Sequence, residues 1–243
     1  MCCQACGSEK RLVPFLLLMS LLLVQGSALA SYQPTDQLTV EQKRNADGSW
    51  LRLTQRVDHE RDRRLIRVEH SRSATAPFVT LLQRSQSLSD YPQGRGHLEE
   101  MDGDGQLDYV ERLYCGAGPN CQARIFKLNP AQQTAYQLFE GWFFLFRSVG
   151  GHFVTSSRSS CCSWTHNVYR EPSKQGGIGD KDLLYSIYLQ GPIDEHSTPT
   201  CRISRPEGDG WTPTELSNPE LLKLCEGYGK NVAVNSATTN DGD

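Results

Sequence analysis

The sequence predicts a mainly β protein, with antiparallel strands forming a sandwich, a barrel or a propeller-like unit, and one short helix near the C-terminus. Short runs rich in Val, Ile, Tyr, Phe and Thr alternate apolar and polar residues, and Gly, Pro, Asn and Asp separate them. Such runs are typical of strands. The predicted strands are residues 50–57, 66–69, 78–82, 123–128, 152–157, 165–169 and 184–189.

One segment has the signals of a helix instead. Asn218 is a capping residue, Pro219 suits the first turn, and Gly227 follows the last apolar position. The apolar residues Leu221, Leu222, Leu224 and Cys225 lie between them. We therefore expect a short helix close to the C-terminus.

The first thirty residues indicate export. Lys10 and Arg11 precede an apolar run over residues 12–24, and Ala28-Leu29-Ala30 forms a small-x-small cleavage site. That run is shorter than the ~20 residues that a spanning helix needs. We expect a signal peptide at residues 1–30, a single β-rich domain at residues 31–228 and a disordered tail at residues 229–243. The mature protein would be periplasmic or secreted, with no stable membrane anchor.

The charge balance argues against nucleic acid as a partner. The chain has 25 basic and 28 acidic residues, for a net charge of −3. An arginine-rich stretch over residues 52–72 is interleaved with acidic residues, as on a solvated strand face. We predict no nucleic-acid binding.

The chain has nine cysteines, and six of them follow the predicted cleavage site. These are Cys115, Cys121, Cys161, Cys162, Cys201 and Cys225. An even number in an exported protein predicts up to three disulfides. The first two could close a tight loop or pair with the Cys161-Cys162 dipeptide, and the last two would then hold the short helix on the sheet.

Two other chemistries for these cysteines are less favoured. Cys161, Cys162 and His166 could supply a thiol nucleophile with a nearby base, but disulfides are the better interpretation in an exported chain. No C-x-x-C spacing points to zinc. Since no convergent acid, base or nucleophile set is visible, we predict that the protein is not an enzyme.

An acidic loop at residues 100–108 has the pattern of a calcium site. Oxygen-bearing side chains occupy positions 1, 3, 5 and 9, and Gly105 at position 6 permits a sharp reversal. The predicted ligands of Ca²⁺ are Glu100, Asp102, Asp104, the carbonyl of Gln106, and Asp108. Magnesium is less favoured because it keeps several waters, and the alternative without a metal is an acidic β-turn.

The flanks of this loop do not match an EF-hand. The preceding residues 91–96 are rich in Gly and Pro, and residues 109–114 alternate like a strand. We therefore expect a calcium loop between two strands. Glu111 falls at position 12, where an EF-hand places a bidentate carboxylate, and its participation is left open.

An ordered set of motifs extends the loop into a wider resemblance. Asp102-Gly-Asp-Gly-Gln-Leu-Asp108 is followed by Gly116-Ala117-Gly118, Ile125-Phe-Lys-Leu-Asn-Pro130, Tyr136-Gln-Leu-Phe139 and Ser156-Ser-Arg-Ser159. This order resembles the periplasmic calcium-binding immunity proteins that inhibit type IV-secreted peptidoglycan hydrolases. Their fold resembles that of the periplasmic inhibitors of invertebrate-type lysozyme. The likeness covers about residues 98–170, and the segment after Gly176 has no counterpart.

The resemblance implies a protein that binds and inhibits a peptidoglycan hydrolase or lysozyme-like protein. Such hydrolases use a pair of carboxylates in a cleft, which hydrogen-bond donors on an inserted loop can occupy. Ser156, Ser157, Arg158 and Ser159 supply such donors, and we expect them on a loop near the metal loop. They could equally form a polar edge strand.

A different class of function remains open, namely a structural or adhesive module in which calcium only stiffens a loop. A further cluster, Trp142 with Phe143, Phe144 and Phe146, is expected to pack in the core. A surface that faces a partner is the alternative for these aromatic residues.

Overall fold

The computed structural model describes residues 37–92, 94–116, 118–172, 176–192, 194, 196–229 and 232–235. The predicted signal peptide at residues 1–30 lies outside the described residues. The predicted mainly β fold is confirmed: the described residues form three sheets and one short C-terminal helix, without a closed barrel.

The first sheet is a four-stranded antiparallel meander in the order β1-β2-β3-β4. Its strands are β1 (Leu38–Arg44), β2 (Trp50–Asp58), β3 (Arg63–Ser71) and β4 (Val79–Ser87). Period-2 alternation places Leu51, Leu53, Ile66 and Val68 on one buried face. The opposite face carries Arg52, Arg56 and Arg67, as the charge pattern predicts, whereas Arg64 is buried on the same face as Ile66.

The central sheet is a second antiparallel meander, in the order β5-β6-β7-β8. Its strands are β5 (Arg95–Glu99), β6 (Asp108–Cys115), β7 (Cys121–Asn129) and β8 (Thr134–Phe143). Both faces of β7 are apolar: Phe126 and Leu128 join the core of the first sheet, whereas Ala123 and Ile125 join a core with the third sheet. The central sheet is therefore sandwiched between the other two.

The third sheet has six antiparallel strands in the order β14-β13-β12-β11-β10-β9, and β15 adds to β13 in parallel. The strands are β9 (Leu145–Val149), β10 (His152–Ser160), β11 (Ser163–Arg170), β12 (Leu183–Gln190), β13 (Thr200–Glu207), β14 (Gly210–Pro213) and β15 (Ala233–Asn235). A short 3₁₀ turn, Asp180–Asp182, precedes β12. Strand β15 lies within the tail that the sequence predicts to be disordered. The composition of this segment does not predict a strand, but its backbone pairs with β13.

The predicted helix is confirmed as α1 (Pro219–Leu222), which continues into a 3₁₀ segment, Lys223–Tyr228. The side chain of Asn218 caps it, since Oδ1 accepts from the backbone N–H of Glu220 at 3.0 Å and of Leu221 at 3.4 Å. Leu221 and Cys225 pack against Val154 and Ile187 of the third sheet. In the part of the chain that the structure describes, no helix is long and apolar enough to cross a membrane.

Side chains of β1 hold β5 in place. The Lys43 ammonium donates to the carbonyl of Leu98 at 2.6 Å, and Glu41 Oε2 accepts from the backbone N–H of Leu98 at 3.1 Å. Because β5 leads directly into the acidic loop, these contacts also fix where that loop begins.

Candidate metal centre and partner surface

The acidic loop connects β5 to β6, as the strand-like flanks predict. It reverses direction twice, with φ of +84° at Gly103 and +79° at Gly105, a backbone region that glycine adopts without steric cost. The turn between β1 and β2 supports it from outside. Ala46 N–H donates to the carbonyl of Gly105 at 3.1 Å, and the buried Asn45 accepts from Leu107 N–H at 2.9 Å.

Three carboxylates of the loop converge. One oxygen from each of Glu100, Asp102 and Asp104 lies within 4.8 Å of the others, a group that could hold a metal ion. Backbone N–H groups inside the loop organise these side chains. Gln106 N–H, for example, donates to Asp104 Oδ1 at 2.8 Å, and the N–H groups of Asp102 and Gly103 donate to Glu100 Oε1.

Asp108, the first residue of β6, lies at the buried base of the loop and adds a fourth carboxylate. Its side chain is fully buried, and neither carboxylate oxygen has a hydrogen-bond partner among the described residues. Burial raises the pKa of Asp108 to about 7, against the opposing attraction of Lys127. A buried carboxylate without hydrogen bonds is costly. The Lys127 ammonium at 3.6 Å offsets part of that cost, and a cation bound directly to the carboxylate would offset more.

Lys127 of β7 lies among these carboxylates. Its ammonium is 2.6 Å from Asp102 Oδ2, 2.7 Å from Asp104 Oδ2 and 3.6 Å from Asp108 Oδ1. Only 14% of its side chain is exposed. Burial disfavours the charge, but the surrounding carboxylates of Asp108, Asp102 and Asp104 raise the pKa of Lys127, so the group is an ammonium ion.

The donor set fits a hard divalent cation. Glu100, Asp102 and Asp104 each offer a carboxylate oxygen, and oxygen is the ligand type that Ca²⁺ takes. Of the predicted ligands, Glu100, Asp102 and Asp104 are brought together, and Asp108 meets them through Lys127. Gln106 lies in the same loop, where its backbone carbonyl is the predicted ligand atom.

Glu111, the residue at position 12, lies elsewhere. It is on the face of β6 opposite to Asp108 and is buried beside two arginines, with Oε2 3.5 Å from both Arg84 Nη2 and Arg124 Nη1. Side chains alternate along a strand, and Glu111 lies three positions after Asp108, so the two carboxylates point to different cores. Glu111 therefore belongs to an ion cluster between the first two sheets.

Two of the predicted disulfides are present. Cys115–Cys121 joins the end of β6 to the start of β7, and Cys201–Cys225 ties the helical segment to β13, as predicted. Cys161 is a free, exposed thiol, and its sulfur lies 3.2 Å from that of Cys162. Disulfides persist in oxidising compartments, which favours an exported protein.

The serine and arginine residues predicted as a loop form the end of strand β10 instead. Ser156 is buried, and its hydroxyl is hydrogen-bonded to His166 Nδ1 at 2.8 Å. Ser157 donates to the carbonyl of Trp142 at 3.1 Å. Arg158 and Ser159 are exposed, so these two residues are the accessible part of the predicted partner surface.

Arg158 is held by its surroundings. One guanidinium nitrogen, Nη2, donates to the carbonyl of Cys161 at 2.9 Å, and the guanidinium carbon lies 5.3 Å from the centre of the Trp164 ring. The pairing of β10 with β9 ends at Ser156↔Leu145. Beyond that pair, the free edge of β10 is hydrogen-bonded to the side chain of Asn120. Asn120 accepts from Arg158 N–H at 2.8 Å and donates to its carbonyl at 2.7 Å.

Exposed aromatic residues surround this end of β10. The predicted aromatic cluster divides: Phe143 and Phe146 are core residues, whereas Trp142 and Phe144 are 49% and 42% exposed. Trp142 packs edge-on against the exposed Tyr114, and Phe144 against Trp164. We call Tyr114, Trp142, Phe144, Arg158 and Trp164 the aromatic–arginine surface.

Arg158 and the entry of the acidic loop into β6 lie towards opposite ends of the central sheet, whereas Met101 of that loop and Phe144 of the aromatic–arginine surface line the same pocket. The loop enters β6 at Asp108, whereas Asn120, the partner of Arg158, lies beside Cys115 at the other end of that strand. From Asp108 to Cys115, β6 is about 23 Å long. Sequence order does not reveal this separation, because it depends on the pairing of β6 with β7.

Three residues that organise the two candidate sites were not predicted from the sequence. Lys127 is visible only as a polar residue in a predicted strand, and Asn45 and Asn120 as turn residues. Their partners are 25, 62 and 38 residues away in the chain. No local pattern carries information over such distances.

No model of a known protein family matches the sequence, and no curated protein matches it. A solved structure described as that of a Xanthomonas type IV secretion system related protein is similar, with a TM-score of 0.39 and 14% sequence identity. The match covers 75% of this chain and 100% of that chain.

Proposed function

We propose that this protein is an exported calcium-binding protein that binds and inhibits a cell-wall peptidoglycan hydrolase. The observation that carries the proposal is the fully buried Asp108 carboxylate, which lacks hydrogen-bond partners and lies at the base of the acidic loop. Such a group is stabilised by a cation. The oxygen-only donor set and the glycine-permitted reversals favour calcium.

The partner-binding step is assigned to the aromatic–arginine surface. An arginine has five N–H donors, and Cys161 takes one of those of Arg158, so donors remain for a carboxylate. Glycan hydrolases cut with a pair of carboxylates in a cleft. Exposed aromatic side chains around an arginine are typical of residues that contribute most to the free energy of protein association.

Calcium binding is tested by calorimetric titration of chelator-treated protein with Ca²⁺ and, separately, Mg²⁺. We expect Ca²⁺ to bind more tightly than Mg²⁺ and to raise the melting temperature, because a ligand that binds only the folded state stabilises it. Asp108→Asn should abolish both effects. Asp209→Asn, at an exposed aspartate outside the loop, is the matched control. Unchanged melting after calcium addition would contradict the metal assignment.

Inhibition is tested with peptidoglycan turbidity assays on lysozyme-like hydrolases from the exported fraction of the source cells. We expect the wild-type protein to slow clearing and Arg158→Ala to lose at least tenfold in potency. Arg170→Ala, at an exposed arginine at the far end of β11, should inhibit normally. Equal potency of the two variants would remove Arg158 from the proposed surface.

The second candidate function is a structural or adhesive module that calcium only stiffens. The two hydrogen bonds between the acidic loop and the β1–β2 turn favour it, because a metal there would couple the first sheet to the central sheet. Calcium-dependent stability without inhibition of any hydrolase in the assay would support this function instead.

A further inference from the structure

Lys127 lies where the proposed calcium ion would bind. The ammonium lies 2.6 and 2.7 Å from one oxygen each of Asp102 and Asp104. Calcium–oxygen distances are ~2.3–2.6 Å, so a calcium ion on the same two oxygens would lie in the space that the ammonium occupies or directly beside it. A divalent ion and an ammonium ion that share two oxygens would also repel each other strongly.

We propose that Lys127 is a tethered cation that competes with calcium for the acidic loop and so sets the calcium affinity of the site. This inference rests on the proposed calcium site and adds a competitor from the chain itself. Binding of calcium then requires the ammonium to leave Asp102 and Asp104. The loop alternates between an ammonium-filled state and a calcium-filled state.

Three features make Lys127 an effective competitor. It extends from the interior of β7, a central strand paired on both sides, so its local concentration at the loop is high. Its side chain is largely buried, so the contacts with the carboxylates are poorly screened by salt. The ammonium also gives the loop a positive charge when calcium is absent, which keeps three converging aspartates compatible with the folded state.

The consequence is a weakened calcium site. Part of the free energy of calcium binding is used to displace the ammonium, so affinity falls relative to a loop without the lysine. Weak affinity suits an exported protein, since extracellular calcium modules work at ~10⁻⁴–10⁻³ M. The competitor would thus tune the loop to the calcium concentration outside the cytosol.

The test is calcium titration of the full-length mature protein and its Lys127→Met and Lys127→Gln variants. We expect both neutral variants to bind calcium at least tenfold more tightly than the wild type. Lys181→Met, at an exposed lysine outside the loop, should stay within about twofold of the wild type. Unchanged or weaker affinity in folded Lys127 variants would overturn the proposal.

A second measurement uses the wild-type protein, so that it does not depend on how well a variant folds. Acetylation of lysine amines by an N-hydroxysuccinimide ester is followed by mass spectrometry with and without saturating calcium. We expect calcium to increase the modification rate of Lys127 several-fold and to leave Lys181 unchanged. Equal protection of Lys127 in both conditions would overturn the proposal.

The outcomes separate this inference from the calcium function itself. Wild-type binding with no gain in the Lys127 variants overturns only the role of the lysine. Binding by the variants alone, with none by the wild type at ~5 mM calcium, supports the competition and contradicts calcium binding as the function. Absence of binding in every protein overturns both.

Discussion

The side-chain amide of Asn120 hydrogen-bonds to both backbone groups of Arg158, at 2.8 Å to its N–H and 2.7 Å to its carbonyl. These two hydrogen bonds replace those of a neighbouring strand, because the pairing of β10 with β9 ends at Ser156. The same residue lies inside the loop closed by the Cys115–Cys121 disulfide. The disulfide loop of the central sheet thus positions Arg158 on the third sheet.

Asn120→Ala should destabilise the protein by about 1 kcal/mol, because two backbone groups lose their partner while water can reach this exposed edge. Urea denaturation measures the change. It should also weaken hydrolase inhibition, since Arg158 loses its fixed position. Asn120→Asp keeps the acceptor but places a carboxylate oxygen against the carbonyl of Arg158, so it should destabilise the protein at least as much as alanine does. A smaller loss would show that the contact with this carbonyl contributes little.

Asp108→Asn and Glu111→Gln should separate the metal site from the buried ion cluster. The first variant is expected to lose calcium affinity by at least ~100-fold, because a charged ligand at the base of the loop is removed. The second should keep calcium affinity within about twofold but lose ~3 kcal/mol of stability, because Arg84 then lacks its buried anion, while Arg124 keeps its ion pair with Glu140. Calorimetry and urea denaturation measure the two properties. Loss of calcium binding in Glu111→Gln would place that residue in the metal site after all.

His166 should make the protein less stable in mild acid. Burial lowers the pKa of His166 to about 4. Below pH ~6.5 the imidazole is therefore protonated in the unfolded chain but stays neutral in the folded protein. The stability from the neutral imidazole is present above pH ~6.5 and is lost as the pH falls towards 4, by about 2 kcal/mol at pH 5. His166→Gln should remove this part of the pH dependence in urea denaturation at pH 7 and pH 5. An identical pH dependence in both proteins would contradict the assignment.

Removal of the Cys201–Cys225 disulfide should cost about 3 kcal/mol, since the link closes a loop with a sequence separation of 24. The variant Cys201→Ala/Cys225→Ala should therefore melt several degrees lower, as scanning calorimetry would show. Cys161→Ala is the matched control, because Cys161 is an exposed free thiol. A melting temperature unchanged by the double substitution would mean that packing of Leu221 and Leu224 alone holds the helical segment on the sheet.

Much of the architecture was predictable because it is encoded locally. Alternating residues such as Leu51 and Leu53 predict a strand with one buried face, and Asn218 with Pro219 predicts the start of the helix. The oxygen ligands of the acidic loop and its glycine lie within nine residues. The Cys201–Cys225 link followed from the expectation that the helical segment must be held on the sheet. For the strands and the helix start, the physical cause is a periodicity or a short-range hydrogen bond that the order of residues displays directly.

Tertiary structure alone decided which distant groups meet. Lys127 fills the acidic loop because β7 pairs with β6, and Asn120 meets Arg158 because the central sheet packs on the third sheet. The same packing buries Ser156, exposes Trp142 and sends Glu111 to the opposite core. These outcomes depend on strand register and on which face each sheet covers. Both are set by packing energies that are summed over the whole fold. The sequence by itself therefore determined the strands, the acidic loop and the helix, whereas the tertiary structure determined which residues those elements contact.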